Sequence, residues 1–233
     1  MSTAVETAHA EVKRIPLTGL RGAIARNMSQ GWQAPRVAMW AEVDVTACQL
    51  KRARLMTEHP GFKVTLTAFV LRALALTLRE HPHLNALMRD KEVELVDDIN
   101  LALAVSVPGG LMAPVIRQAD NLSVLELAAE SRWLAEGARN GSLGAGVFQR
   151  GTFTVTNLGM TDIDGFSPVI NPPQVAILGV SRVIDKPVVR HGGIVAAPLM
   201  GLSLVFDHRA VDGYPAALFL GDLKRRLESA EEL

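Results

Sequence analysis

The residue whose type and setting best suit acid–base chemistry is His208. It follows the apolar run Leu202-Ser203-Leu204-Val205-Phe206 within Asp207-His208-Arg209-Ala210-Val211-Asp212-Gly213, where a buried strand gives way to a turn and a helix. An imidazole titrates near neutrality, at about 6.5, and at such an edge it can act as a neutral base beside a pocket. The other five of the six histidines lack that setting. His9 lies in a polar N-terminal stretch, His59, His81 and His83 in helix-ending turns, and His191 beside Gly192-Gly193. Each of the five reads as a solvated turn residue.

Other chemistries find less support. With no His-x-x-x-His or Cys-x-x-Cys pair, no metal site is expected. A serine hydrolase would need a Gly-x-Ser-x-Gly elbow between strand and helix, which the chain lacks. Cys48 falls in an amphipathic helical segment and reads as a half-buried thiol rather than a nucleophile. Gly144-Ala145-Gly146 lacks the third glycine of a dinucleotide fingerprint. The clusters Lys51-Arg52-Ala53-Arg54 and Lys224-Arg225-Arg226 read as solvated helix faces.

The elements that must position these residues follow from periodicity. Ala23, Ile24, Asn27 and Met28 share a face at helical spacing, and Pro35 ends that helix. Val37, Met39, Ala41, Val43 and Val45 alternate as a half-buried strand does, and Thr46 starts a helix to about His59. Residues 65–78 form a strongly apolar helix stopped before Pro82. Residues 99–107 alternate, Pro108-Gly109-Gly110 turns, and a second run ends at Ile116. A helical stripe begins at Ser123 and ends near Asn140-Gly141. Residues 152–156, 174–180, 183–190 and 198–206 are four β-rich segments separated by Gly, Pro and Asn, and a last helix follows Gly213-Tyr214. The expectation is one α+β domain with a mixed or largely antiparallel sheet and packed helices.

Composition narrows the partners. The chain has 233 residues, 48% hydrophobic and 21% charged, which fits an ordinary globular domain with a substantial core. Its 24 basic and 24 acidic residues cancel, so no global field favours nucleic acid or an anionic membrane. A single cysteine matches a reducing compartment, making a cytoplasmic location the expectation. No apolar run is long enough to span a bilayer, and residues 1–14 read as a polar tail, not a secretory signal.

DHRAVDG (residues 207–213), GTFTVTNLGM (151–160), INPPQVAILGVS (170–181) and AVSVPGGLMAPVI (104–116) together resemble the catalytic domain of the dihydrolipoamide acyltransferases, the E2 components of 2-oxo acid dehydrogenase complexes. IPLTGLRGAIARNM near the start and VTLTAFVLRALALTLREHPHLNA extend the resemblance over residues 15–230, with the motifs in the same order. It implies a chloramphenicol acetyltransferase-like α+β sandwich assembled as a homotrimer, with active sites between subunits. It also implies His208 as general base, Thr156 as the hydroxyl that stabilises the tetrahedral intermediate, and Asp212 as a residue shaping the site. Asp207 and Arg209 would fix the histidine loop, with Asn157 and Gly213 as further support. Coenzyme A would be a substrate, and no metal is implied. A free thiol has a pKa of about 8.5, so an imidazole base can help deprotonate it near neutral pH.

Two departures qualify what carries over. Where the family often has histidine after proline, this chain has Pro35-Arg36, which bears on pocket lining and acyl preference. Residues 15–233 read as the catalytic domain, with no lipoyl domain and no peripheral subunit-binding domain; either the chain is a stand-alone core, with the lipoyl group expected on a separate carrier, or it is a piece of a larger protein. Recruitment of the E1 and E3 components is left open, as is assembly of trimers into larger cores. Two alternatives stand beside the leading one: the same fold acting on another acceptor, and a non-catalytic trimeric scaffold.

Overall fold

The structure, a computed structural model, describes residues 13–233; all but the last two residues of the polar stretch at 1–14 lie outside it. In chain order the elements are α1 (Gly19–Trp32), β1 (Arg36–Asp44), α2 (Thr46–Glu58), α3 (Leu66–Glu80), β2 (Ala86–Met88), β3 (Val93–Leu95), β4 (Leu101–Leu103), β5 (Val105–Val107), β6 (Gly110–Met112), β7 (Val115–Ile116), α4 (Val124–Asn140), β8 (Phe153–Asn157), β9 (Ala176–Arg190), β10 (Gly193–Asp207) and α5 (Gly213–Ser229). Among the described residues no helix is long and apolar enough to cross a membrane.

Six strands form one mixed sheet in the order β1-β10-β9-β8-β4-β7, with β8 parallel to both β9 and β4 and the other pairs antiparallel. Side chains alternate between its two faces. Phe153, Val155, Leu178, Leu204 and Phe206 turn to one face and join α3, α4 and α5 in the main core. There Phe219 of α5 is fully buried and packs against Phe153 with ring centroids 6.2 Å apart. The opposite face carries Thr154, Thr156, Ile177 and Val205. There Ile177 and Val205 pack with Ile170, Ala34 and Ala38 in a small separate cluster. That face is where the candidate site lies.

Local signals explain the element ends. Ser123 and Glu126 make a reciprocal capping box at the start of α4, and Gly141, at φ +74°, closes it in the left-handed region. His81 leaves helical geometry at φ −127°, ψ 66° because Pro82 follows it. The segments 174–180 and 183–190, expected as separate strands, are joined from Ala176 onward in the single strand β9. The interruption is a register shift between Met200 and Leu202, where Gly201 passes so close to Ser181 that a Cβ would collide with its hydroxyl. The hairpin of β2 and β3 was not foreseen.

Two surface assignments also change. His81 is largely buried and meets the Asp222 carboxylate at 2.7 Å, while its ring stacks edge-on against Phe219. Arg226 has a side chain only 15% exposed and is paired with Glu80 and Glu232. Both residues therefore join the end of α3 to the last turns of α5 rather than facing solvent.

Candidate active site

His208 is fixed by its backbone, with its ring half exposed. Its N–H donates to Pro35 O at 2.9 Å, while Ala210 and Val211 N–H groups close the turn onto Asp207 O. Asp207 is only 2% exposed. Its carboxylate accepts the Arg209 backbone N–H at 3.0 Å and is gripped by the same residue's guanidinium, through Nε at 3.0 Å and Nη2 at 2.5 Å. This pairing holds the Arg209 guanidinium above its ordinary range. Asp212 occupies the N-cap of α5 but makes no capping bond with its side chain. Its exposed carboxylate lies 3.7 Å from His208 Nδ1, within ion-pair reach of a protonated ring but too far for a hydrogen bond. Gly213 then begins α5.

Thr156 sits near the C-terminal end of β8, paired with Gly179 of β9. A threonine before a turn ordinarily caps it with its hydroxyl. Here the neighbour does so instead: Asn157 Oδ1 accepts the Gly159 N–H at 2.6 Å, and Asn157 Nδ2 donates to Thr67 Oγ1 at 2.8 Å. Thr156 Oγ1 has no hydrogen bond among the described residues and faces a pocket of about 520 Å³. The walls include Ile24 and Met28 of α1, Leu111, Phe148 and Phe166. Phe166 can lie against the strand because residue 179 is glycine; a Cβ there would stand 3.1 Å from its ring.

One chain does not bring its proposed base and hydroxyl together. Thr156 aligns with Gly179, Gly179 aligns with Ser203, and His208 lies five residues beyond Ser203. Two strand spacings and five residues of rise put the two residues about 19 Å apart. Asp207, Arg209, Asp212 and Gly213 gather with His208, and Asn157 gathers with Thr156.

On the helix side of β8, a groove of about 470 Å³ is lined by Arg52, Lys63, Thr67, Asn157 and Gly159. Arg52 Nε is buried there without a hydrogen-bond partner among the described residues, so this cation is not simply solvated. Cys48 is no nucleophile in this geometry. Its thiol donates to Leu227 O at 3.0 Å, and burial pushes it up to about 11, with Lys51 pulling weakly the other way. Among the described residues no three His, Cys, Asp or Glu side chains group as metal ligands. Sequence reasoning missed the α1 wall of the pocket, although Asn27 within an otherwise apolar stripe was a signal for it.

Comparisons place this geometry among known proteins. Residues 9–233 match the family described as 2-oxoacid dehydrogenases acyltransferase (catalytic domain). The chain is 37% identical over 227 residues to the dihydrolipoyllysine-residue acetyltransferase component of the acetoin cleaving system of Bacillus subtilis, covering 96% of this chain and 57% of that protein. It is 39% identical over 223 residues to the corresponding component of the pyruvate dehydrogenase complex of the same organism, covering 94% and 50%. The chain thus spans about half the length of these relatives.

Among solved structures, the Azotobacter vinelandii dihydrolipoamide acetyltransferase superposes with a TM-score of 0.91 at 34% identity, covering 98% of this chain and 96% of that one. That structure belongs to a crystallographic and enzymatic investigation of a serine, a histidine and an asparagine in its catalytic mechanism. There the serine stands 52 positions before the histidine and the asparagine four after it; Thr156 and Asp212 stand at the same offsets from His208. A chloramphenicol acetyltransferase shares the fold, with a TM-score of 0.55 at 16% identity over 87% of this chain and 94% of that one.

Proposed function

The chain belongs to the 2-oxoacid dehydrogenases acyltransferase (catalytic domain) family, and we propose that it moves an acyl group between a dihydrolipoyl thiol and coenzyme A. The observation that carries this reading is the uncommitted Thr156 hydroxyl, released by Asn157 from capping duty and aimed into an apolar pocket. His208 takes the proton of the attacking thiol as the sulfur adds to the thioester carbonyl, so that a new C–S bond forms. The oxyanion of that tetrahedral intermediate accepts a hydrogen bond from Thr156 Oγ1. Collapse breaks the old C–S bond, and the departing thiolate takes the proton back from the imidazolium. Both acyl carriers are present together, and no covalent bond to the enzyme is needed.

Because His208 and Thr156 of one chain lie about 19 Å apart by strand geometry, each site takes His208 from one protomer and Thr156 from its neighbour in a homotrimer. The apolar pocket suits the hydrocarbon of a dihydrolipoyl arm. The groove behind it, with Arg52 and Lys63, suits the phosphates of coenzyme A. Residues 15–233 act as the catalytic domain, in the cytoplasm, and receive the acyl group from a lipoylated carrier.

The test is thioester exchange between acetyl-CoA and dihydrolipoamide. Exchange well above buffer is expected, falling by about 100-fold or more in His208→Ala, the usual scale of acid–base catalysis. Absence of exchange by an assembled oligomer, or an unchanged rate in the variant, overturns the proposal.

A further inference from the structure

The thiol pocket contains one polar feature besides Thr156. Asn27 Nδ2 donates to Asn171 Oδ1 at 2.7 Å, Asn171 Nδ2 donates to Thr154 Oγ1 at 3.3 Å, and the Thr154 hydroxyl donates to Gln174 Oε1 at 2.5 Å. The string is directional, since each link uses one donor and one acceptor. At its outer end Asn27 keeps its Oδ1 and its second N–H unengaged among the described residues, and it lines the pocket. The side chain is held there by the seating of α1. Gly31, one turn further along the same helix face, approaches Ile170 O so closely that a Cβ would collide with it. Asn27 is thereby brought against the adjoining Asn171.

We propose that Asn27 is a specificity-determining residue that recognises the amide joining the lipoyl arm to its carrier; this rests on the pocket being the dihydrolipoyl site. Thr154 and Thr156 lie on one face of β8, about 7 Å apart, and the two asparagines extend the string beyond Thr154. The pocket therefore offers a hydroxyl at one place, hydrocarbon walls, and an amide further off. A dihydrolipoyl arm has the same order: thiols at one end, hydrocarbon in the middle, an amide at the other end. When its thiol reacts beside Thr156, its amide N–H comes within reach of Asn27 Oδ1. The pantetheine arm of coenzyme A fits less well, because its nearest amide is only two carbons from the sulfur.

The experiment compares Asn27→Ala with the unaltered protein using dihydrolipoamide and 1,3-propanedithiol, a dithiol without arm or amide, as acyl acceptors from acetyl-CoA. Loss of one such hydrogen bond should raise KM for dihydrolipoamide about 5- to 10-fold. kcat, the rate with propanedithiol and KM for acetyl-CoA should stay within about twofold, within the small effect expected where no contact is lost. A second variant, Asn27→Asp, gives up the donation to Asn171 but keeps an acceptor toward the pocket and adds charge, so it should disfavour dihydrolipoate, whose arm ends in a carboxylate, much more than dihydrolipoamide. Equal losses with both dithiols would mean that Asn27 only supports the wall. A shift in the acetyl-CoA KM alone would assign the pocket to pantetheine, and Asn27→Asp treating the two lipoyl forms alike would remove the amide contact. Any of these results overturns the proposal. Absence of exchange by the unaltered protein would instead overturn the transferase reading beneath it.

Discussion

A site divided between protomers makes a quantitative prediction about mixed oligomers. His208→Ala removes the proposed base and Thr156→Ala the proposed oxyanion donor, so either variant alone should retain about 1% of activity or less. The register from Thr156 through Gly179 to Ser203 leaves His208 on the same chain about 19 Å away, so neither variant can repair its own site. Suppose the two are co-expressed in equal amounts and assemble at random around a closed ring. Half of the positions then supply an intact His208, and half of their neighbours supply an intact Thr156. About one quarter of the interfaces hold both, giving about one quarter of the unaltered activity, over 20-fold above either parent when that parent sits at the roughly hundredfold loss. Purification through both tags discards the pure parents, and every mixed trimer holds one complete interface of its three, so that fraction should show about one third of the unaltered activity. The assay is acetyl-CoA to dihydrolipoamide exchange on oligomers purified through two different tags, one on each variant. Doubly tagged oligomers no more active than the parents would refute a shared site.

Three further outcomes follow from the geometry. Arg209→Ala strands the buried Asp207 carboxylate and should destabilise the fold by about 2 kcal/mol, a modest figure because the guanidinium is half exposed. Denaturant unfolding measures the loss, and kcat should fall more than KM changes because the His208 turn loosens. Ser123→Ala removes the α4 capping bond and should cost about 1 kcal/mol, read as a lowered denaturation midpoint at unchanged m-value. Burial lowers the His81 imidazole below its ordinary value more than Glu80 raises it, with Arg226 lowering it further; a neutral ring carrying its proton on Nε2 still donates to Asp222. The unfolded chain then binds more protons, so this contribution is complete above about 6.5 and is lost as pH falls through the lower folded value. Tm should therefore fall more steeply from about pH 7 to about pH 5 in the unaltered protein than in His81→Gln, and equal slopes would contradict this account.

What could be read from sequence divides along the distance over which each feature is specified. The start and end of α4 were legible because Ser123, Glu126 and Gly141 act within a turn of where they stand. The His208 turn was legible because an apolar strand ends there, although its lock, the Asp207–Arg209 pair, followed only from the family resemblance. His81 was misread because its partner Asp222 lies 141 residues away and nothing local to Glu80-His81-Pro82 announces α5. The continuity of β9 was hidden for a similar reason, since its two halves join through a bulge in which Ser181 and Arg182 oppose the single Gly201 of β10, a match that only the neighbouring strand reveals.

Thr156 shows the limit most clearly. By type it is an ordinary strand residue before a turn, and what frees its hydroxyl is the decision of Asn157 to cap Gly159 while also reaching Thr67, 90 residues away. The separation of Thr156 from His208 is likewise a matter of register. A sequence can nominate both residues, but the alignment of β8, β9 and β10 is what sets them two strands and about 19 Å apart on a single chain. If the two groups act together as proposed, that alignment makes them halves of a site completed by a neighbouring protomer, and it accounts for why the half exposed His208 ring has its backbone so firmly held. A base presented to another subunit in this way would gain no orientation from its own pocket, and the His208 turn is fastened from within by Asp207, Arg209 and Pro35.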